Sequence, residues 1–187
     1  MKPELLKLDL GCGNQKVTAE HIGVDFSRAC NPDVILDLLD YPWPWADNSV
    51  EDIYCSHYIE HIPMRGMSDR HLKDPLIMFF EECYRILTPG GMLYLRFPVC
   101  TAEPAFQDPT HKRYLSRHLV AYFNQPWRKW ANVEQYYIKA DFQIITDKVQ
   151  QDESVMGRAQ SHRFAHYHFN VIHAAHLDLQ AVKPCRT

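Results

Sequence analysis

Lys7-Leu8-Asp9-Leu10-Gly11-Cys12-Gly13-Asn14 is the stretch that decides the fold. It reads as a buried strand that runs straight into a glycine turn. A second strand follows almost at once and ends Gly23-Val24-Asp25. A strand, a Gly-x-Gly turn and an acid at the tip of the next strand are how an open parallel sheet holds a nucleoside. The glycines let the backbone approach the ligand, and the acid accepts hydrogen bonds from ribose hydroxyls.

The dinucleotide fingerprint asks for a third glycine and a helix whose N-terminus faces a pyrophosphate. Here Lys16 and Val17 stand where that part of the motif should be. Nine residues separate Gly13 from Gly23, fewer than the about ten to twelve that a full crossover needs. The pattern therefore suits a nucleoside without a pyrophosphate and places a nicotinamide-dependent oxidoreductase last. The competing reading of the Gly-x-Gly pair is a tight turn with no ligand.

The 187 residues favour one domain spanning 1–187. With 46% hydrophobic and 23% charged residues, the chain reads as globular. No apolar run reaches the roughly 20 residues of a membrane span, and the N-terminus lacks a signal-peptide core, so the expected location is cytoplasmic with no membrane partner. A net charge of −3 argues against a broad nucleic-acid surface. The clusters Lys112-Arg113 with Arg117, and Arg128-Lys129, read as ordinary solvated charge. None of the six cysteines forms a C-x-x-C pair, which points to reduced thiols and not to a disulfide frame or zinc site.

In chain order, residues 4–9 form the first strand and 22–25 the second. Val34 to Leu38 is a β-branched third strand. The segments after strands one and two are too short and polar for good helices. This exposes apolar surface on that flank, and a homodimer is expected to cover it. Val50 to Ser56 is the fourth strand, and a short helix starts at His57. Asp74-Pro75 is a helix start, with Asp as cap and Pro in the first turn. Leu76, Phe79, Phe80, Cys83 and Leu87 recur at helical spacing, and Thr88-Pro89-Gly90-Gly91 stops that helix. Met92 to Phe97 is the fifth strand. Ser116 caps a helix reaching about Asn124, and a loop bearing Trp and Pro follows. Phe142 to Gln150 and Phe169 to Lys183 are two late strands, read as an antiparallel pair at the sheet edge.

Several motifs, in order, resemble class I S-adenosylmethionine (SAM) dependent methyltransferases. Asp9-x-Gly11-x-Gly13 followed by Val24-Asp25 resembles the family's first motif and its following acid. Tyr41-Pro42-Trp43-Pro44-Trp45-Ala46-Asp47-Asn48-Ser49-Val50 resembles the "LPFPDNSFD" approach to strand four. Ser56-His57-Tyr58-Ile59-Glu60-His61 resembles "SHVLEH", and Arg85 to Leu93 resembles "RVLKPGGRL". The resemblance implies an α/β, Rossmann-like, mostly parallel seven-stranded sheet with an antiparallel C-terminal hairpin. It implies SAM as cofactor. The backbone at Gly11, Cys12 and Gly13 would meet the amino acid part with Asp9 orienting the turn, Asp25 would meet the ribose, Asp37 and Leu38 the adenine, and Ser56 and His57 would lie beside the sulfonium.

Methyl transfer is an in-line displacement and needs a base only where the acceptor must lose a proton. Asp108-Pro109-Thr110-His111-Lys112-Arg113 follows strand five and resembles a "DPTHxR" segment of small methyltransferases. His111 is the candidate base or acceptor-orienting group, since its pKa suits proton transfer near neutrality. Asp108 is its partner, and Tyr58 is a candidate for the acceptor pocket. The plain alternative for His111 is a structural histidine holding the loop to Asp108. His166, His168 and Asn170 would share a strand face. They lack the usual cysteines or close histidine pair of a zinc site, so no metal is assigned. The amino-methylating Asn/Asp-Pro-Pro-Tyr signature is absent, and Phe97-Pro98-Val99-Cys100 stands near its place. A small molecule, sugar or nucleotide is the expected acceptor. A nucleic-acid methyltransferase and a non-catalytic module, either SAM-binding or a degenerate scaffold, are the alternatives.

Overall fold

The fold is described from a computed structural model at residues 4–64, 73–151 and 172–185. Strands β1 (Leu6–Leu10), β2 (Ile22–Asp25), β3 (Val34–Ile35), β4 (Val50–Ser56) and β5 (Leu87–Pro98) pair in parallel. Strands β6 (Phe142–Gln151) and β7 (Ile172–Ala181) add an antiparallel hairpin, giving seven strands in the order β3-β2-β1-β4-β5-β7-β6. The order reverses beside β1, so the glycine turn sits at the switch point where α/β sheets bind ligands.

Helix α1 (Pro75–Ile86) begins as its sequence asks. Asp74 Oδ1 accepts from Leu76 N at 2.9 Å, and Pro75 occupies the first turn. Its buried face is Phe79, Phe80, Cys83 and Ile86. Phe80 stacks on Phe123 with centroids 3.8 Å apart, and Phe79 meets Trp43 edge-on at 5.7 Å. The Trp43-Pro44-Trp45 loop is held by Arg85 of this helix. Its guanidinium donates to the carbonyls of Trp43 and Trp45 and to Asp47 and Glu82. Prolines limit the conformations of that loop, and a side chain on α1 selects one.

Several boundaries differ from expectation, each for a local reason. The third strand ends at Ile35, because Asp37 Oδ1 accepts from Leu39 N and Asp37 O accepts from Asp40 N. That Asx-type turn replaces the ladder. Strand β1 runs one residue further than expected and starts two later. Helix α1 does stop before Thr88, but Leu87 already pairs with Val50, so it is the first residue of β5 and not the last of the helix. A register shift between Val50 and Asp52 absorbs Thr88 to Gly91, where Gly90 holds φ +82°. Gln125–Trp130, expected as a loop, is the short helix α2, capped by Asn124 through Trp127 N at 2.9 Å. The segment Arg117–Phe123 is helical as expected but of the 3-10 kind, capped by Ser116. Residues 169–171 of the last expected strand, and His166 and His168, lie outside the described residues.

The flank after β1 and β2 has the shortened connections that the spacing predicts. Residues 11–21 form turns, and a single 3-10 turn, Arg28–Cys30, lies between β2 and β3. Lys16 covers part of this gap. Its stem crosses Gly23, where an added Cβ would lie 2.8 Å from Lys16 Cδ. Its Nζ reaches Asp33 at 2.7 Å, and the same carboxylate oxygen accepts from Gly23 N at 2.7 Å. Phe26 and Ile35 remain 72% and 54% exposed on this side, so the expected apolar surface is present. No helix among the described residues is long and apolar enough to cross a membrane.

Candidate active site

The glycine turn closes onto Asp25, the acid that ends β2. Gly11 and Gly13 hold φ of +69° and +55°, the left-handed region that favours glycine. At Gly11 the space is also needed, since an added Cβ would lie 3.0 Å from Tyr58 Cβ and Cδ2. Around Gly13 nothing lies within 4 Å of an added Cβ, so its backbone faces open space. Gly11 N and Cys12 N both donate to Val24 O, which ties the turn to β2.

Asp25 Oδ2 accepts from Gly13 N at 3.0 Å, and Oδ1 accepts from Ser27 N at 2.8 Å. Each carboxylate oxygen offers two lone-pair directions, so each keeps one for a ligand hydroxyl. Asp9 is buried and accepts from Val17 N at 2.7 Å, which holds the far side of the turn. Burial raises the Asp9 carboxyl above its ordinary value, against the Val17 hydrogen bond, which lowers it.

Asp37 is exposed on the turn after β3, and Leu38 is buried with its carbonyl accepting from Trp43 Nε1 at 3.2 Å. Ser56 ends β4. His57 takes φ +53°, donates its backbone N–H to Arg96 O, and points an exposed ring at Glu60. Its hydrogen bond with Glu60 raises the His57 pKa above its ordinary value. Tyr58 packs on the glycine turn and on Phe79, and burial raises its phenol well above the usual range. That environment makes it a packing residue of the turn and a poor proton donor or acceptor.

The segment after β5 returns to the turn after β4. Lys112 N and Arg113 N both donate to Glu60 O, at 2.8 and 3.0 Å. Arg113 donates to Ile62 O, Pro63 O and Asp74. His111 is thereby brought against His61, with ring centroids 4.8 Å apart. Asp108 O accepts from His111 N at 3.2 Å, but the Asp108 carboxylate, 3.8 Å from His111 Nε2, does not hydrogen-bond the ring. It accepts instead from Thr110 N and Oγ1. These hydrogen bonds hold Asp108 below the usual carboxylate range. Glu60 and His61, now neighbours of His111, were not singled out from sequence. The "SHVLEH"-like segment contains both, but nothing in it shows that residue 111 returns to them.

In the basic clusters Lys112 and Lys129 are exposed as expected, but the arginines are not free solvated charge. Arg128 is buried and donates to Tyr122 O and Ala140 O, Arg117 pairs with Asp147, and Arg113 has the contacts above. The folded chain spends these guanidinium groups on its own carbonyls and carboxylates.

The sheet order, with the glycine turn after β1 and the acid at the end of β2, is that of the class I methyltransferase fold. Among solved structures, the chain is similar to a SAM-dependent methyltransferase of Archaeoglobus fulgidus, with TM-score 0.58 and 16% identity over 96% of this chain and 87% of that one. It is likewise similar to a SAM-dependent methyltransferase of Methanosarcina mazei, with TM-score 0.56 and 14% identity over 97% and 94%. The cyclase SpnF shares the fold too, with TM-score 0.53 and 13% identity over 95% and 75%. No family model matches the chain, and no curated protein matches it in sequence. At these identities the likeness concerns the fold.

One expected result follows from the turn itself. Burial, with Asp9 and Asp25 nearby, pushes the Cys12 thiol up to about 11. Near pH 8 its thiolate fraction should then be about 100-fold below that of an ordinary exposed thiol. Alkylation followed by peptide mass mapping should modify Cys30 and Cys100 well before Cys12. Equal rates would show that the turn opens readily.

Proposed function

We infer that the chain binds SAM and transfers its methyl group to a small-molecule, sugar or nucleotide acceptor. The observation that carries this reading is the pairing of a left-handed Gly11-x-Gly13 turn, open to solvent at Gly13, with Asp25 at the end of the neighbouring strand. On this reading Asp25 accepts the ribose hydroxyls and the backbone at Gly11 to Gly13 meets the amino acid part. Asp9 holds the turn, Asp37 and Leu38 border the adenine, and Ser56 and His57 flank the sulfonium. When bound, SAM supplies an electrophilic methyl carbon, and the chain's task is to place the acceptor in line with it.

His111 is the acceptor-orienting residue. Its Nδ1 donates to Ala105 O at 2.8 Å, so Nε2 keeps its lone pair for an acceptor proton or for another electrophile. The Asp108 carboxylate acts through Thr110, while its carbonyl accepts from His111 N. A small acceptor is favoured over nucleic acid because Arg113 and Arg128 are engaged inside the fold and Arg117 is paired with Asp147.

One observation favours the scaffold reading. Both Asp25 oxygens already accept backbone N–H groups, and the residue is 9% exposed, so the turn closes on its own acid. Calorimetric titration with SAM, S-adenosylhomocysteine and NAD separates the two. Saturable binding of the first two and none of NAD is the expected result. Binding of none would turn the assignment to a non-catalytic module.

A further inference from the structure

A second cluster stands beside the glycine turn, at the carboxyl ends of β4 and β5. Glu60 and His61 lie on the 3-10 turn Ile59–His61, and the strap of hydrogen bonds onto Glu60 O and Ile62 O brings His111 to them. One carboxylate oxygen of Glu60 and one ring nitrogen from each histidine lie within 4.8 Å of one another. Glu60 is 1% exposed. His57 Nδ1 contacts its Oε1 at 3.2 Å, while its Oε2 is buried with no hydrogen-bond partner among the described residues. A buried carboxylate oxygen left unpaired is costly and calls for a cation or donor that the chain itself does not provide.

Both histidines are held in the form a metal requires. A carbonyl can only accept, so the 2.8 Å contact with Ala105 O places the proton of His111 on Nδ1. Thr110 Oγ1 gives its single proton to Asp108 Oδ1 at 2.7 Å, so it accepts from His61 Nδ1 at 3.1 Å. In both rings the lone pair is therefore on Nε2. An outer hydrogen bond from the second ring nitrogen to an oxygen is what orients metal-binding imidazoles. It also gives Asp108 and Thr110 a task.

We propose that Glu60, His61 and His111 bind one divalent transition-metal ion of the zinc type. Two imidazoles and one carboxylate suit zinc and cobalt, whereas magnesium and calcium prefer all-oxygen shells. Bonds of about 2.0–2.2 Å require the three atoms to draw together by about an ångström on binding. Three protein ligands leave a position for water or an acceptor oxygen, so that His111 orients the acceptor through the ion. That use rests on the methyl-transfer reading; the binding of the ion does not.

The test is titration of chelator-treated protein with Zn²⁺, Co²⁺ and Mg²⁺, read by calorimetry, by the visible absorption of bound Co²⁺ and by thermal melting. The parent should bind one equivalent of Zn²⁺ or Co²⁺ and melt higher with metal. His61→Gln and Glu60→Gln should bind at least about 10-fold more weakly and lose the metal-dependent shift. His61→Gln carries the main weight, because its ring is not part of the core and its metal-free melting should stay near the parent's. Absence of saturable Zn²⁺ and Co²⁺ binding would overturn the proposal, and so would equal binding by both variants or a preference for Mg²⁺. SAM titration of the metal-free parent reads the nucleoside pocket separately.

Discussion

Asp25→Asn is expected to weaken SAM binding by about 100-fold or more. The aspartate carboxylate serves two sides at once. It accepts from Gly13 N and Ser27 N, and its remaining lone pairs are those the ribose hydroxyls would use. Asparagine keeps one acceptor oxygen and turns the other into a donor that faces a backbone N–H. Hydrogen bonds to a charged group contribute about 1.5–3 kcal/mol each, so losing one or two of them corresponds to roughly a 10- to 10⁴-fold change in Kd. Calorimetry measures the affinity, and a melting curve of the unliganded variant shows separately what the turn loses. An Asn variant that binds SAM like the parent would remove Asp25 from the ribose.

Phe80→Ala should give the largest loss of stability. Phe80 is fully buried on α1, stacked on Phe123 and edge-on to Phe79 and Phe142. It joins the helix, the 3-10 segment Arg117–Phe123 and the hairpin strand β6. Truncation leaves a cavity whose walls belong to three elements, and such changes cost about 3–5 kcal/mol. For a domain of this size that corresponds to a melting temperature lower by roughly 6–20 °C. Phe80→Leu, which refills most of the space, should lose much less. A change below about 1 kcal/mol in Phe80→Ala would mean that the helix is not packed as described.

The elements that the sequence made legible are those set by local chemistry. Asp74-Pro75 starts α1 because a side-chain oxygen and a fixed φ meet the needs of a helix end within three residues. Gly11 and Gly13 mark the turn because their φ values favour residues without a Cβ. The short connections after β1 and β2 follow from a residue count. The tryptophans and prolines after Asn124 read as a loop, whereas Asn124 caps the short helix Gln125–Trp130 there. Leu87 was misplaced because a helical period continues for one residue past the point where pairing with Val50 takes over.

By itself, then, the sequence determined the fold class, the left-handed glycine turn and the acid opposite it. These depend on spacings of a few residues and on backbone conformations that few side chains permit. The tertiary structure alone decided what meets across about 40 to 50 residues: His111 with Glu60 and His61, Arg85 with the Trp43 loop, and Arg113 with Ile62 and Asp74. Lys16 with Asp33 across Gly23 belongs with them, at a shorter range. Each of those contacts is a side-chain event that depends on where a sheet places the ends of two distant strands, and no local pattern in the chain encodes that distance.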